Sequence, residues 1–140
     1  MNAISELKAR IEAIKKDLVF SLVDAYTEAA PAIEDKVTEQ LQRGERADNV
    51  VLPNYSPRSV AQFGKPAGPI RLFDTGDFYE GIRAIPEVDG LLIEGFDSKT
   101  GLLQDRYGLE IIGLQERSIA ELNEEVIAPI LLSNLRERLL

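Results

Sequence analysis

The sequence predicts an α+β domain with N-terminal helices, a long irregular arm, a small antiparallel β-hairpin and a C-terminal helix. Three observations support this class. Apolar residues recur at steps of three and four near both ends, Pro and Gly concentrate in the middle, and short apolar runs flank a turn sequence around residue 88. The order of helices, loop, sheet and helix is typical of α+β folds. We expect one domain over residues 1–140, comprising a helical part (1–44), an extended arm (45–69), a hairpin region (70–114) and a C-terminal helix (115–140).

The first helix is predicted by an a/d-like apolar pattern. The pattern consists of Ile4, Leu7, Ile11, Ile14 and Leu18. Since it holds cleanly for only about two and a half heptads, it falls short of a true coiled coil. It predicts an amphipathic helix that lies either on its own domain or on a neighbouring subunit.

A proline interrupts the continuation of this helix. Because Pro31 removes a backbone donor, we expect a break near Ala29-Ala30 and a second helix after it. Gly44 follows Arg43 at the position of a helix C-cap, so the second helix should end there.

The arm at 45–69 is predicted to be irregular. It contains Pro53, Pro57, Gly64, Pro66, Gly68 and Pro69. Such a long loop inside a compact domain is usually functional or ordered by a partner. We interpret it as an assembly arm, with a mobile surface loop as the alternative.

The remaining elements follow from shorter patterns. Residues 78–85 fit a strand, a helical turn or both, 86–90 predict a turn, and 91–96 predict a returning strand. The last helix should run over about 116–139, with Pro129 kinking or restarting it. Its apolar face comprises Ile119, Leu122, Val126, Ile127, Ile130, Leu131 and Leu135.

Composition narrows the chemistry. The chain has neither Cys nor His, which removes thiol catalysis, Ser-His pairs and the usual zinc ligands, and we expect no cofactor and no metal. A formal net charge of −8 argues against general nucleic-acid binding, although DNA could pass such a surface without adhering. No apolar run reaches membrane-spanning length, so we expect no membrane partner and a soluble, intracellular chain when made.

The triplet Asp74-Thr75-Gly76 permits an enzymatic hypothesis. A homodimeric retropepsin-like aspartic protease would use Asp74 from two chains, and Ile111-Ile112-Gly113 imitates the second motif of that class. However, bulky Phe78 and Tyr79 follow the triplet closely, and the gap of 39 residues between Asp74 and Gly113 is short for the intervening strands. The protease therefore stays an alternative.

The favoured interpretation of the same triplet is a structural turn. In it, the Asp74 side chain accepts backbone N–H bonds and Gly76 adopts a conformation that other residues avoid. A hard-cation site formed by Asp74, Asp77 and Glu80 is the weaker alternative, because the spacing lacks a calcium-loop signature.

Five aromatic residues flank the arm and the hairpin region. They are Tyr55, Phe63, Phe73, Phe78 and Tyr79. We expect them to be core or subunit-contact anchors, since aromatic side chains bury large areas at low entropic cost. A base-stacking platform would need basic neighbours, and Arg58, Lys65 and Arg71 are too sparse for one.

A combination of motifs resembles a known group of proteins. The motifs are Gln40-Leu41-Gln42-Arg43-Gly44, Pro53-Asn54-Tyr55-Ser56, Lys65, Gly68, Leu72 to Tyr79, Asp105-Arg106-Tyr107-Gly108 and Ile112-Gly113-Leu114. Together they resemble the small structural proteins of tailed-phage and prophage morphogenesis clusters, particularly of Bacteroidetes, and the neck and tail-completion (head–tail connector) proteins of long-tailed phages. The resemblance covers roughly residues 37–140.

The resemblance implies a non-enzymatic virion protein that forms a ring at the head–tail junction. Its implied partners are further copies of itself, portal or adaptor and tail proteins, and DNA that passes without sequence-specific binding. Its implied location is the neck or tail end of the virion, after synthesis in the host bacterial cytoplasm. A phage scaffolding or assembly partner absent from the mature virion is the second alternative beside the protease.

Overall fold

The computed structural model describes residues 2–139 and confirms the α+β class. Its elements are α1 (Ala3–Gln42), α2 (Pro57–Phe63), α3 (Asp77–Glu80), β1 (Ile82–Glu87), β2 (Gly90–Gly95), α4 (Thr100–Tyr107), a 3-10 turn (Leu109–Ile111), α5 (Glu116–Leu122), a π turn (Asn123–Ile127) and α6 (Ala128–Leu139). Within the described residues the sheet is a two-stranded antiparallel hairpin.

Helix α1 is continuous through Pro31, so the predicted break at Ala29-Ala30 is wrong. The helix has 40 residues and is therefore about 60 Å long. Pro31 lies on the exposed side, and Thr27, whose carbonyl loses its donor, is an exposed residue as well. Ala29 and Ile33 on the opposite side are fully buried. Packing of this face keeps the helix intact across the proline.

The hairpin confirms the predicted pair of strands. Strand β1 runs antiparallel to β2 with Ile82 opposite Gly95 and Glu87 opposite Gly90, which leaves a two-residue turn. The segment 78–85 begins as α3 and continues as β1, so both predicted conformations occur. Ile82 and Ala84 are buried, and β1 packs along α1.

The C-terminal segment is helical over the predicted range. The disturbance expected at Pro129 takes the form of the π turn immediately before it, where the Ala128 N–H donates to the Asn123 carbonyl. A π turn is a common response to a residue that cannot join the regular hydrogen-bond ladder. Lys36 pairs with Glu121 at 3.0 Å and Asp24 with Arg138 at 2.7 Å, so this segment lies antiparallel to α1.

The arm is more ordered than predicted. It contains α2, whose N-cap Ser56 accepts the Ser59 N–H at 3.1 Å and whose C-cap Gly64 is left-handed with φ 66°. Leu52 is buried in the core of the molecule. The expectation of a wholly irregular arm is corrected, because a capped helix and an anchoring leucine hold it.

The core forms two clusters along α1. The first comprises Val37, Leu41, Leu52, Phe78, Tyr79, Ile82 and Ile111. The second comprises Ala25, Ala29, Ile33, Ala84, Leu122 and Ile127. Helix α1 therefore supplies one wall of the whole body from residue 25 onward.

Candidate assembly surface

The apolar side chains in the first half of α1 are exposed. We call them the N-terminal stripe; its members and their exposed fractions are Ile4 (67%), Leu7 (58%), Ile11 (43%), Ile14 (57%) and Leu18 (46%). No other segment in residues 2–139 covers them. The sequence predicted that this face lies either on its own domain or on a neighbouring subunit. Within residues 2–139, the stripe does not lie on its own domain.

The stripe continues a face that is buried farther along the same helix. Ser21, Ala25, Ala29 and Ile33 follow Leu18 at steps of three or four, and all four are fully buried. Steps of three and four keep residues on one side of a helix. The stripe is therefore the uncovered extension of a packing surface.

The cover over α1 ends close to residue 20. Near the end of α6, Arg138 lies 2.7 Å from the Asp24 carboxylate and above the Phe20 ring. The hairpin turn lies beside the preceding turns of α1, where Val88 lines an open cleft together with Glu12, Lys16 and Val19. From residue 20 to its first residue, α1 extends for about 25 Å, given 1.5 Å per residue.

Basic side chains flank the stripe. With Ile4 at a heptad a position, Lys8 and Lys15 occupy e positions, and the g positions hold Arg10 and the acidic Asp17. Residues 1–20 hold four basic and three acidic side chains, whereas the rest of the chain holds twelve basic and twenty-one acidic ones. The projecting helix therefore differs in charge from the body.

A buried amide network fixes the arm to the end of α1. The Gln40 side-chain amide donates to the Gly113 carbonyl at 2.9 Å, and its oxygen accepts the Gln115 N–H at 2.9 Å. The Gln115 side chain donates to the Glu45 carboxylate at 2.9 Å, and this bond lowers the pKa of Glu45. Sequence reasoning missed the network, since the pattern does not distinguish a buried glutamine from an exposed one.

The turn at Asp74-Thr75-Gly76 is present, but its hydrogen bonding differs from the prediction. Gly76 has φ 90°, which confirms the special conformation. The Asp77 N–H donates to Thr75 Oγ1 at 3.4 Å, while the Asp74 carboxylate lies 3.6 Å from Lys65 Nζ with its side chain 78% exposed. The assignment of Asp74 as the backbone acceptor is corrected, because Thr75 takes that position.

The five predicted aromatic anchors differ in burial. Phe78 and Tyr79 are buried in the first core cluster, so for these two the structure confirms the core alternative of the prediction. Phe63 is 66% exposed and Phe73 is half exposed while its ring packs edge-on against Tyr79. Tyr55 is half-buried, and its hydroxyl accepts the Arg71 N–H at 3.1 Å.

Hydrogen bonds tie the segment after the arm to this aromatic group. Lys65 Nζ donates to the Phe73 carbonyl at 3.1 Å, and the Tyr79 hydroxyl donates to the Arg71 carbonyl at 2.5 Å. Burial raises the pKa of Tyr79 to about 12. The phenol is thus a neutral structural donor at physiological pH.

The described residues were also compared with the requirements of a metal site and of a membrane-spanning helix. In residues 2–139, no three acidic side chains are arranged to hold a metal ion. Asp74, Asp77 and Glu80 therefore do not form such a group. Across the same residues, no helix is both long and apolar enough to span a bilayer.

Comparison with known proteins gives no relative for this chain. No protein-family model, no curated protein and no solved structure matches it.

Proposed function

We propose that the chain is a structural subunit of the head–tail junction of a tailed phage or prophage. It assembles into a ring that joins portal and tail and lines the DNA conduit. Its action is binding and geometry, without catalysis.

The observation that carries this proposal is the N-terminal stripe. A free monomer that projects five large apolar side chains on an unsupported helix exposes a surface of the kind that subunit association removes from water. Assembly subunits need such a surface, whereas a protein that works as a monomer does not.

The placement of the residues that resemble neck and tail-completion proteins adds support. Although they are far apart in the sequence, several of them are joined directly. Gln40 bonds to Gly113 at 2.9 Å and the Tyr55 N–H donates to the Gly68 carbonyl at 2.9 Å. The motifs thus belong to one structural unit around the end of α1, which is the arrangement expected of a shared fold.

Charge is also consistent with a DNA conduit. The first 20 residues have one more basic than acidic side chain, so the net negative charge lies entirely in the rest of the chain. A surface of that sign repels the phosphate backbone and lets DNA slide past instead of binding it.

The protease alternative has weaker support. An aspartic dyad needs carboxylates that share a proton in a shielded site. Asp74 instead lies on an exposed turn 3.6 Å from Lys65. A variant Asp74→Asn tested on a broad peptide library at acid pH checks this alternative, and cleavage that the substitution abolishes would favour it.

The proposal is tested by quantitative mass spectrometry of purified virions from the source. We expect the protein at a few to about a dozen copies per particle when scaled to the major capsid protein, as suits a single closed ring. Absence from clean particles, combined with abundance in infected or induced cells, contradicts a neck location and supports the scaffolding alternative.

A further inference from the structure

An apolar groove opens on the side of the body. It lies between the middle of α1, the returning strand and the C-terminal segment, and has a volume of about 260 Å³. Its wall includes Tyr26, Leu91, Leu114, Ile119, Leu122 and Ile127. We call it the lateral groove. Ile119 remains 43% exposed at its edge, so the groove leads from solvent to the second core cluster.

One wall of the lateral groove is rich in acidic side chains, with Arg117 as the basic residue among them. Helix α5 and the π turn, which form this wall, carry Glu116, Glu121, Glu124 and Glu125. Glu121 is paired with Lys36, whereas Glu116 and Glu124 are exposed. Lys8, Lys15 and Arg10 flank the N-terminal stripe. The flank of the stripe therefore has an excess of basic side chains and the groove wall an excess of acidic ones, an arrangement that favours and orients their association.

We propose that the N-terminal stripe of one copy docks into the lateral groove of a second copy. A chain cannot fill its own groove, because α1 is continuous and Leu18 lies about 12 Å along the axis from Tyr26, with Ile4 about 33 Å away. A stripe that fills the groove must therefore come from another molecule, and a helix laid in an apolar groove is a common recognition mode.

Pairing of stripe with stripe is less favourable. In a parallel pair, the g position of one helix faces the following e position of its partner, so Arg10 meets Lys15 on both sides. The helix-to-groove contact avoids this repulsion. Because it joins two different surfaces, it is heterologous and generates a ring when the rotation closes.

The contact rests on the proposed ring function and specifies how subunits join. Since the chain has no Cys, a single engineered cysteine is unique. We would mix the full-length variants Ile11→Cys and Ile119→Cys with a short bis-maleimide cross-linker. We expect a cross-linked species that contains one copy of each variant, identified by peptide mass spectrometry.

A cysteine placed outside both surfaces is the control for the cross-linking experiment. Ala61→Cys, on the exposed face of α2, should not cross-link to Ile119→Cys. Products that join Ile11→Cys only to itself indicate stripe pairing and overturn the proposal, as does absence of the mixed product at all concentrations up to the solubility limit.

Charge reversal gives a second readout. The double variant Lys8→Glu/Lys15→Glu should lower the yield of the mixed product about tenfold or more, and Glu116→Lys/Glu124→Lys on the groove partner should restore it. Equal yields in all combinations contradict the charge argument. Circular dichroism confirms that each variant remains folded.

These outcomes separate the contact from the function. If the protein is found in virions but only stripe-to-stripe products form, the docking contact is wrong and the neck function stands. If the mixed product forms but virions lack the protein, the contact stands and the neck function fails.

Discussion

The hydroxyl of Tyr79 couples folding to alkaline pH. Its side chain is only 8% exposed, and burial raises its pKa to about 12, compared with about 10 in an unfolded chain. Between these values the unfolded state releases a proton that the folded state retains. The resulting stability is complete below pH 10 and is lost as pH rises toward 12, on the order of 2 kcal/mol.

We therefore expect Tyr79→Phe to flatten the alkaline decline. At pH 7 the variant should lose about 1 kcal/mol, because the bond to the Arg71 carbonyl is gone. Above pH 10 its free energy of unfolding should fall less steeply than that of the wild type. Urea unfolding at pH 7 to 12 measures both effects, and parallel curves would contradict the role given to Tyr79.

Gln40 is a second residue whose role the structure makes testable. Its side chain makes two bonds to the segment at Gly113 and Gln115 and is almost completely buried. Gln40→Ala leaves a buried carbonyl and a buried N–H without partners, which should cost about 2–4 kcal/mol of unfolding free energy. Gln42→Ala, two residues away and exposed, should change it by less than about 0.5 kcal/mol. Similar losses in both variants would show that the network is unimportant.

Among the elements, α1 shows that tertiary packing can outweigh the helix-breaking tendency of a proline. Pro31 is unfavourable within a helix by up to about 3 kcal/mol relative to Ala. Pro31→Ala restores the missing N–H on an exposed site and should raise the free energy of unfolding by about 1–3 kcal/mol. Thermal unfolding of the two proteins measures the difference.

A second proline serves as a control, because it shows whether any Pro→Ala substitution in a helix raises the free energy of unfolding by the same amount. Pro129 follows a π turn that already accommodates it, so Pro129→Ala should stabilise less than Pro31→Ala. A loss of stability in Pro31→Ala would indicate that α1 needs the proline for a function other than helix continuity.

The same elements show what sequence could and could not predict. The hairpin, the C-terminal helix and the amphipathic start of α1 follow from periodicity and turn residues, and the structure confirms them. The single helix through Pro31 does not follow, because the burial of Ala29 and Ile33 that sustains it is a tertiary property. Leu52 likewise reaches the core from a segment whose Pro and Gly content favoured an irregular loop.

At the scale of the whole molecule, the candidate site is defined by the point along α1 at which α6 and the hairpin no longer cover the helix. The sequence identifies the apolar stripe, but it cannot show that α6 and the hairpin leave these side chains exposed. The lateral groove could not be predicted from the sequence either, because its wall combines residues from three distant segments. In the proposed ring, subunits join through the part of α1 that is longer than the body.

That difference in length predicts a division in backbone stability. In the monomer, residues 5–18 have helical hydrogen bonds but mostly exposed side chains, so their opening free energies should be below about 2 kcal/mol. Residues 29–41 lie in the core face and should open only with global unfolding. Hydrogen–deuterium exchange at low protein concentration measures this contrast.

Assembly should remove the contrast, because docking in a neighbour's groove buries the stripe. As protein concentration rises, exchange at residues 5–18 should slow together with exchange around Ile119, while residues 29–41 remain unchanged. The double variant Leu7→Ser/Ile14→Ser should stay fast at every concentration yet retain the body's pattern, since neither side chain contacts the core in the monomer. If residues 5–18 are already as protected as the core in dilute monomer, then α1 is stable by itself and the bare stripe does not drive association.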